Sequence, residues 1–138
     1  MLICWEACFP ELTRLLALKG AGLVLYPTGN VQSDEVYDYR STWRHLLWAR
    51  AIENFLYVGC SQNVFGDEPG FSYVFSPEEK LGENLSEGIL TAELDMDRIR
   101  RLRRDARVRA RLDRVGEALR LVKETFPNHK AINSTIGR

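Results

Sequence analysis

No uncharged apolar run in this 138-residue chain approaches the roughly 18 residues that a membrane-spanning helix requires, so a membrane protein is not expected. The opening MLICWEACF has no early lysine or arginine and meets Glu6 at once. That does not fit a secretory leader, and the expected address is the cytoplasm. Cysteine is scarce and odd in number: Cys4, Cys8 and Cys60. Three thiols without a leader argue for reduced cysteines rather than a disulfide framework. Histidine is scarcer still, with only His45 and His129, and there is no C-x-x-C or H-x-x-x-H. A zinc site needs about four ligands at workable spacing, so no metal site is expected. Repeats and low-complexity tracts are absent too. What remains is a chain with 45% hydrophobic residues, long enough for one domain with a core.

The net charge is zero, but it is unevenly placed. Residues 1–93 carry 13 acidic and 6 basic side chains, net −7, and residues 94–138 carry 6 acidic and 13 basic, net +7. The arginines concentrate in residues 97–114, where nine stand against three aspartates. Clustered arginine is one way to neutralise nucleic-acid phosphates. Here the arginines interleave with Ile99, Leu102, Val108 and Leu112, and no aromatic platform accompanies them. A solvated helix face is the better reading, and a nucleic-acid partner is not favoured.

Hydrophobic periodicity alternates strands with helices. Residues 2–5 read as the end of a strand. A helix follows in FPELTRLLALKGAG, with Leu12, Leu15, Leu16 and Leu18 on one side and Lys19-Gly20 as its stop. The run LVLYP, 23–27, reads as a strand buried on both faces. STWRHLLWARAIENF predicts a helix with Trp43, Leu46, Leu47, Ala51 and Phe55 at helical spacing. LYVGCSQN, FSYVFS and GILTAELD (56–63, 71–76 and 88–95) predict three more strands, with SPEEKLGEN as a turn. From Met96 to about Phe126 the pattern is a long basic helix or a broken pair. The order makes this an α/β chain.

Four segments in register carry a family resemblance. LICWEACFPELTRLLALKGAGLVLYPTGN resembles the nucleophile segment of the carbon–nitrogen hydrolase (nitrilase/amidase) superfamily. WARAIENFLYVGCSQNVFG resembles its R-A-x-E-N helix and the strand after it. FSYVFSPEEKL is similar to its strand ending at a proline turn, and EGILTAELDMDRIRRLR to its closing strand and helix. The likeness covers about residues 2–104, leaving 105–138 as a helical C-terminal extension. It implies part of an α-β-β-α sandwich, namely the half of the domain that contains the nucleophile. It also implies hydrolysis of a non-peptide amide, carbamoyl group or nitrile through a cysteine thioester, with no cofactor. C-W-E leans toward nitrilases, whereas F-P-E and Y-P-T resemble amidases and carbamoylases.

By that resemblance Cys4 is the nucleophile and the backbone N–H of Trp5 an oxyanion donor. A thiol with a pKa near ~8.5 needs a base or a positive field to ionise at neutral pH. The family's base glutamate, its lysine and a supporting glutamate lie upstream of the cysteine in a domain about twice this length. They have no counterpart by motif here, so the isolated chain is expected to be weak or inactive. The competing reading is a non-catalytic remnant or interaction module. Cys8 and Cys60 are expected to be packing residues, and Glu11, Arg50 and Glu53 to form structural ion pairs. Thr28 and Asn30, past the C-terminal end of a strand, are candidate substrate contacts. His45 is expected on the surface or packed. The partners expected are a small amide, carbamoyl or nitrile substrate, and either a second copy or a complementing N-terminal half. Self-association is expected through Leu12–Leu18 and Trp43–Phe55.

Overall fold

The computed structural model describes residues 1–29, 39–63 and 70–105, together with 114, 117, 118, 120, 121 and 124. Met1–Leu102 form one compact unit and Arg103–Arg138 a second. The first unit begins with a 3₁₀ turn, Cys4–Cys8, followed by α1 (Pro10–Leu18), β1 (Leu23–Thr28), α2 (Tyr39–Asn54) and β2 (Tyr57–Gln62). Then come β3 (Ser72–Phe75), β4 (Lys80–Asn84) and α3 (Met96–Arg104). Four strands form one sheet in the order β1-β2-β3-β4. β1 and β2 run parallel, joined through α2, and the later pairs are antiparallel. In the second unit the described residues other than Asp105 are helical, with Arg120 and Glu124 paired at 3.9 Å.

Each helix ends where its sequence provides for it. Pro10 opens α1, where its missing N–H costs no bond. Gly20, at φ 95°, closes it. Its N–H donates to the Ala17 carbonyl at 3.0 Å, and the Ala21 N–H donates to the Leu16 carbonyl at 2.9 Å. That pair of bonds is the Schellman closure, and it needs a residue at ease in left-handed backbone. Asp95 caps α3, its carboxylate accepting the Arg98 N–H at 2.9 Å. The Tyr57 hydroxyl donates to the Asp95 carbonyl at 2.9 Å, and the Arg98 guanidinium grips Glu78. Arg100 and Arg101 of the basic run pair with Asp97 and Asp95.

The core lies on one face of the sheet. Val24, Tyr26 and Thr28 of β1 register with Val58, Cys60 and Gln62 of β2, and Val58 and Cys60 with Phe75 and Tyr73 of β3. All of these except Gln62 are buried, under Trp43, Leu47 and Ala51 of α2 and Ala17 of α1. Trp48 stacks on Phe75 with ring centroids 5.9 Å apart, and Tyr73 on Phe75 at 5.6 Å.

The opposite face differs from the expectation that β1 is buried on both sides. Leu25 is 49% exposed, and a cavity of about 490 Å³ lies over Leu25, Gly59, Ser72 and Val74, rimmed by Met1, Ile89 and Leu90. A strand reads as doubly buried when it is rich in Leu and Val, but only a second layer makes it so. Three further expectations are corrected. Residues 2–5 are not a strand: the Leu2 N–H bonds to β1 at the Leu25 carbonyl, and from Cys4 the chain enters the 3₁₀ turn. Residues 80–84 are strand β4 rather than turn, because the Ser76 side chain and backbone close a hairpin on Glu78 and Glu79. Residues 88–95 form no strand among the described residues; Leu90 instead lies over Gly82, and no neighbouring strand offers them a ladder. The helix from Met96 is described continuously to Arg104, and most of its expected continuation lies outside the described residues. Among the described residues no helix is long and apolar enough to cross a membrane.

Candidate functional site

Cys4 sits at a kink. Ile3 is extended, at φ −115° and ψ 125°, and at Cys4 the chain swings to φ 46°, where a side chain is strained. Holding a non-glycine residue there costs on the order of 1–3 kcal/mol, so the surroundings must over-determine it. Four bonds do so from nearby. The Leu2 N–H donates to the Leu25 carbonyl at 3.0 Å, tying the approach to β1. The Glu6 carboxylate reaches back to accept the Ile3 N–H at 2.6 Å, while the Glu6 N–H donates to the Ile3 carbonyl at 3.0 Å. The Phe9 N–H donates to the Glu6 carbonyl at 3.2 Å just before Pro10 starts α1.

A fifth bond comes from α2. Arg50 is 7% exposed and its Nε donates to the Ala7 carbonyl at 3.0 Å. Its guanidinium also donates to Glu53 Oε1 at 3.0 Å. The fully buried Asn54 donates to the Arg50 carbonyl at 2.9 Å and to the same Glu53 oxygen at 3.3 Å. Arg50 and Asn54 share the buried side of α2 with Trp43, Leu47 and Ala51, where an ordinary amphipathic helix would place apolar residues.

The turn's geometry supplies a donor. In a 3₁₀ turn the first N–H groups precede any acceptor within the turn, and that of Trp5 occupies such a place. Trp5 is 58% exposed, and Ile3 and Phe9 near it in sequence are exposed as well.

The three thiols differ in environment, and none is in a disulfide. Cys4 and Cys8 are half-buried and Cys60 is buried. Burial pushes the Cys60 thiol up to about 12, against a hydrogen bond from Thr28, and a charge on Cys4 would push it further. Burial also raises Cys8; Arg50 opposes this and Cys4 adds to it. Both thiols are therefore held protonated at neutral pH, and both lie within electrostatic reach of Cys4. Among the described residues, no group of three or more His, Cys, Asp or Glu side chains could hold a metal ion.

The other expected site residues fall as follows. Arg50 and Glu53 come together beneath the Cys4 turn. Glu11 is exposed on the first turn of α1, outside that pair. Thr28 is buried, its hydroxyl donating to the Ser61 carbonyl at 3.3 Å and lying 4.0 Å from Cys60 Sγ. Asn30 lies outside the described residues, and His45 is exposed on α2. Two contributors were missed in the sequence: the Ala7 carbonyl, which leaves no trace in residue type, and Asn54, whose place on the apolar stripe of α2 was the available signal.

Comparison with known proteins agrees with this geometry. The carbon-nitrogen hydrolase family model matches residues 1–104. The N-carbamoylputrescine amidase of Solanum tuberosum is 30% identical over 115 residues, which cover 71% of this chain and 38% of that protein. The crystal structure of a carbon-nitrogen hydrolase from Helicobacter pylori G27 superposes with a TM-score of 0.67 at 26% identity, covering 78% of this chain and 43% of that one. A mutant of the amidase from Nesterenkonia sp. AN1, with the acetamide moiety of fluoroacetamide covalently added at its active-site cysteine, superposes with a TM-score of 0.59 at 31% identity. It is covered to 42% by 79% of this chain. The chain thus spans about two-fifths of the length of the relatives it matches.

Proposed function

Because this chain belongs to the carbon–nitrogen hydrolase family, we propose that it contributes the nucleophile of an amidase-type hydrolase, and that Cys4 is that nucleophile. The observation that carries the reading is the left-handed kink of Cys4 at the head of a 3₁₀ turn, which puts the Trp5 N–H at the second position of that turn, ahead of any acceptor within it. The sulfur attacks the carbonyl carbon of an amide or carbamoyl group, or the carbon of a nitrile. For an amide, a C–S bond forms and the oxygen takes up negative charge, which the Trp5 N–H receives. The C–N bond breaks as ammonia or an amine departs with a proton, and water then cleaves the thioester to acid and thiol. The Solanum relative's name favours an N-carbamoyl amine as substrate. No cofactor enters any step.

The proton acceptor comes from outside the described residues in this reading. Glu6 is engaged by the Ile3 N–H and Glu53 by Arg50. We assign the base, and the cation that supports the oxyanion, to a complementing polypeptide corresponding to the part of the relatives that this chain does not span. The open face of the sheet supports such a partner, since a two-layer sandwich buries both faces of each sheet. Residues 1–104 are then half of an α-β-β-α domain, with residues 105–138 as an extension to it. The setting is cytoplasmic, where the three thiols stay reduced.

The test is site-resolved alkylation. The chain is treated with iodoacetamide at neutral pH, and each cysteine is followed by peptide mass spectrometry. Cys4 is expected to react at least about tenfold faster than Cys8 or Cys60, since only thiolate attacks and both others are held protonated. Equal or slower reaction at Cys4 overturns the assignment.

A further inference from the structure

We propose that Arg50 is the positioning residue of the Cys4 turn: with Glu53 and Asn54 it forms a buried clamp on the Ala7 carbonyl that holds Cys4 in its kink. The proposal rests on the assignment of Cys4 as nucleophile and adds to it how the nucleophile is kept in place.

Three observations carry the inference. First, the bond from Arg50 is specific in direction. Its Nε points at a carbonyl in the middle of the Cys4–Cys8 turn, not at the sheet, so it fixes the turn against α2 rather than α2 against the strands. Second, the side chain is held at both ends. One of its terminal nitrogens donates to Glu53, and Asn54 ties Glu53 to the helix backbone at Arg50. A guanidinium offers donors in a rigid fork, so Nε can serve the carbonyl while a terminal nitrogen serves the carboxylate. Third, the position is costly without a task. A 93% buried cation on the apolar stripe of α2 is tolerated only when paired and hydrogen-bonded. Leucine would fill the stripe but leave the Ala7 carbonyl without its donor.

The clamp has a chemical consequence. The kink at Cys4 is a strained backbone conformation, and releasing Ala7 lets the residue relax to ordinary backbone, which changes where the thiol is presented. Arg50 touches no reacting atom in this scheme; it acts through the turn. Its charge also faces Cys8, whose thiol it pulls against the effect of burial.

The experiment uses the full chain and two conservative substitutions, Arg50→Lys and Glu53→Gln. Lysine keeps the charge but has one ammonium where the guanidinium has a fork, so it cannot hold Ala7 and Glu53 in the same geometry. Glutamine keeps an acceptor and loses the charge that orients the guanidinium. Iodoacetamide rates are measured at all three cysteines, with Cys60 as an internal reporter of global opening because it is buried. In both variants the Cys4-to-Cys8 rate ratio is expected to fall at least threefold while Cys60 stays protected. An unchanged ratio with Cys60 protected overturns the clamp. So does a parallel rise at all three sites in both variants, which would make Arg50 a stability residue only. A wild-type ratio near one counts against the nucleophile assignment instead, so the two ideas fail separately.

Discussion

The hydroxyls of Thr13 and Tyr26 meet in a hydrogen bond between α1 and β1, where both residues are fully buried. It joins the helix that follows the Cys4 turn to the strand that borders it. Burial raises the Tyr26 hydroxyl's pKa and the bond to Thr13 partly offsets the shift. Each hydroxyl is the other's answer to desolvation, so removing one leaves the other stranded. Thr13→Val and Tyr26→Phe are each expected to lower stability by about 1–3 kcal/mol in urea titrations, and the double variant by clearly less than the sum. Strict additivity would mean that the two groups do not depend on each other.

Alkaline stability follows from Cys60. The folded chain holds this proton up to about 12, whereas the ordinary thiol value is 9.0. Above 9.0 the unfolded state therefore binds fewer protons than the folded one, and stability falls as pH rises. The contribution is fully present below 9.0 and is lost toward 12. Denaturant midpoints measured at pH 7, 9 and 11 should be level over the first interval and fall over the second. Cys60→Ala should make that fall shallower without abolishing it, because Cys8 and Tyr26 shift in the same direction. A midpoint unchanged at pH 11 contradicts the prediction.

Glu6 braces the turn from its own third position. Glu6→Ala removes the acceptor of the Ile3 N–H and is expected to cost about 0.5–1 kcal/mol, in the range of lost helix caps. Glu6→Gln keeps an acceptor and should recover most of this. Thermal melts of the three proteins are the check, and an equal loss in both substitutions would assign the effect to charge rather than to the hydrogen bond.

The open sheet face should bind a hydrophobic dye. Leu25 and Ile89 are 49% and 91% exposed at the cavity over β1 to β3. Contiguous exposed apolar surface of this kind marks a surface made for contact. Leu25→Asp combined with Ile89→Asp is expected to reduce anilinonaphthalene sulfonate fluorescence at least twofold and leave the far-ultraviolet circular dichroism unchanged. Equal fluorescence would place the dye elsewhere.

Much of the fold was legible in residue order. The extent of α1, the apolar stripe of α2, the Lys19-Gly20 stop and the β2 and β3 runs are local patterns that formed where their period put them. Yet α1 buries Thr13 and Ala17, while Leu18, expected on its apolar side, is 40% exposed. Strand β4 was not legible, because an edge strand can be short and charged, and Lys80, Gly82 and Glu83 read as a turn. The 88–95 segment erred the other way: its alternation is that of a strand, but a strand needs a neighbour to bond. At the candidate site, the motif around Cys4 singles that cysteine out by residue order alone, and its proposed role as nucleophile starts from there.

The sequence by itself determined the family, the element order and which cysteine to watch, since these depend on residue identity and spacing along one chain. Tertiary structure alone decided that Arg50 reaches the Cys4 turn from α2, and that burial holds the Cys8 and Cys60 thiols protonated. It also decided that one sheet face is covered and the other open. Those properties belong to groups far apart in sequence. The Ala7 carbonyl that Arg50 holds is 43 residues from it, and desolvation is a property of the space around a group rather than of its neighbours in the chain.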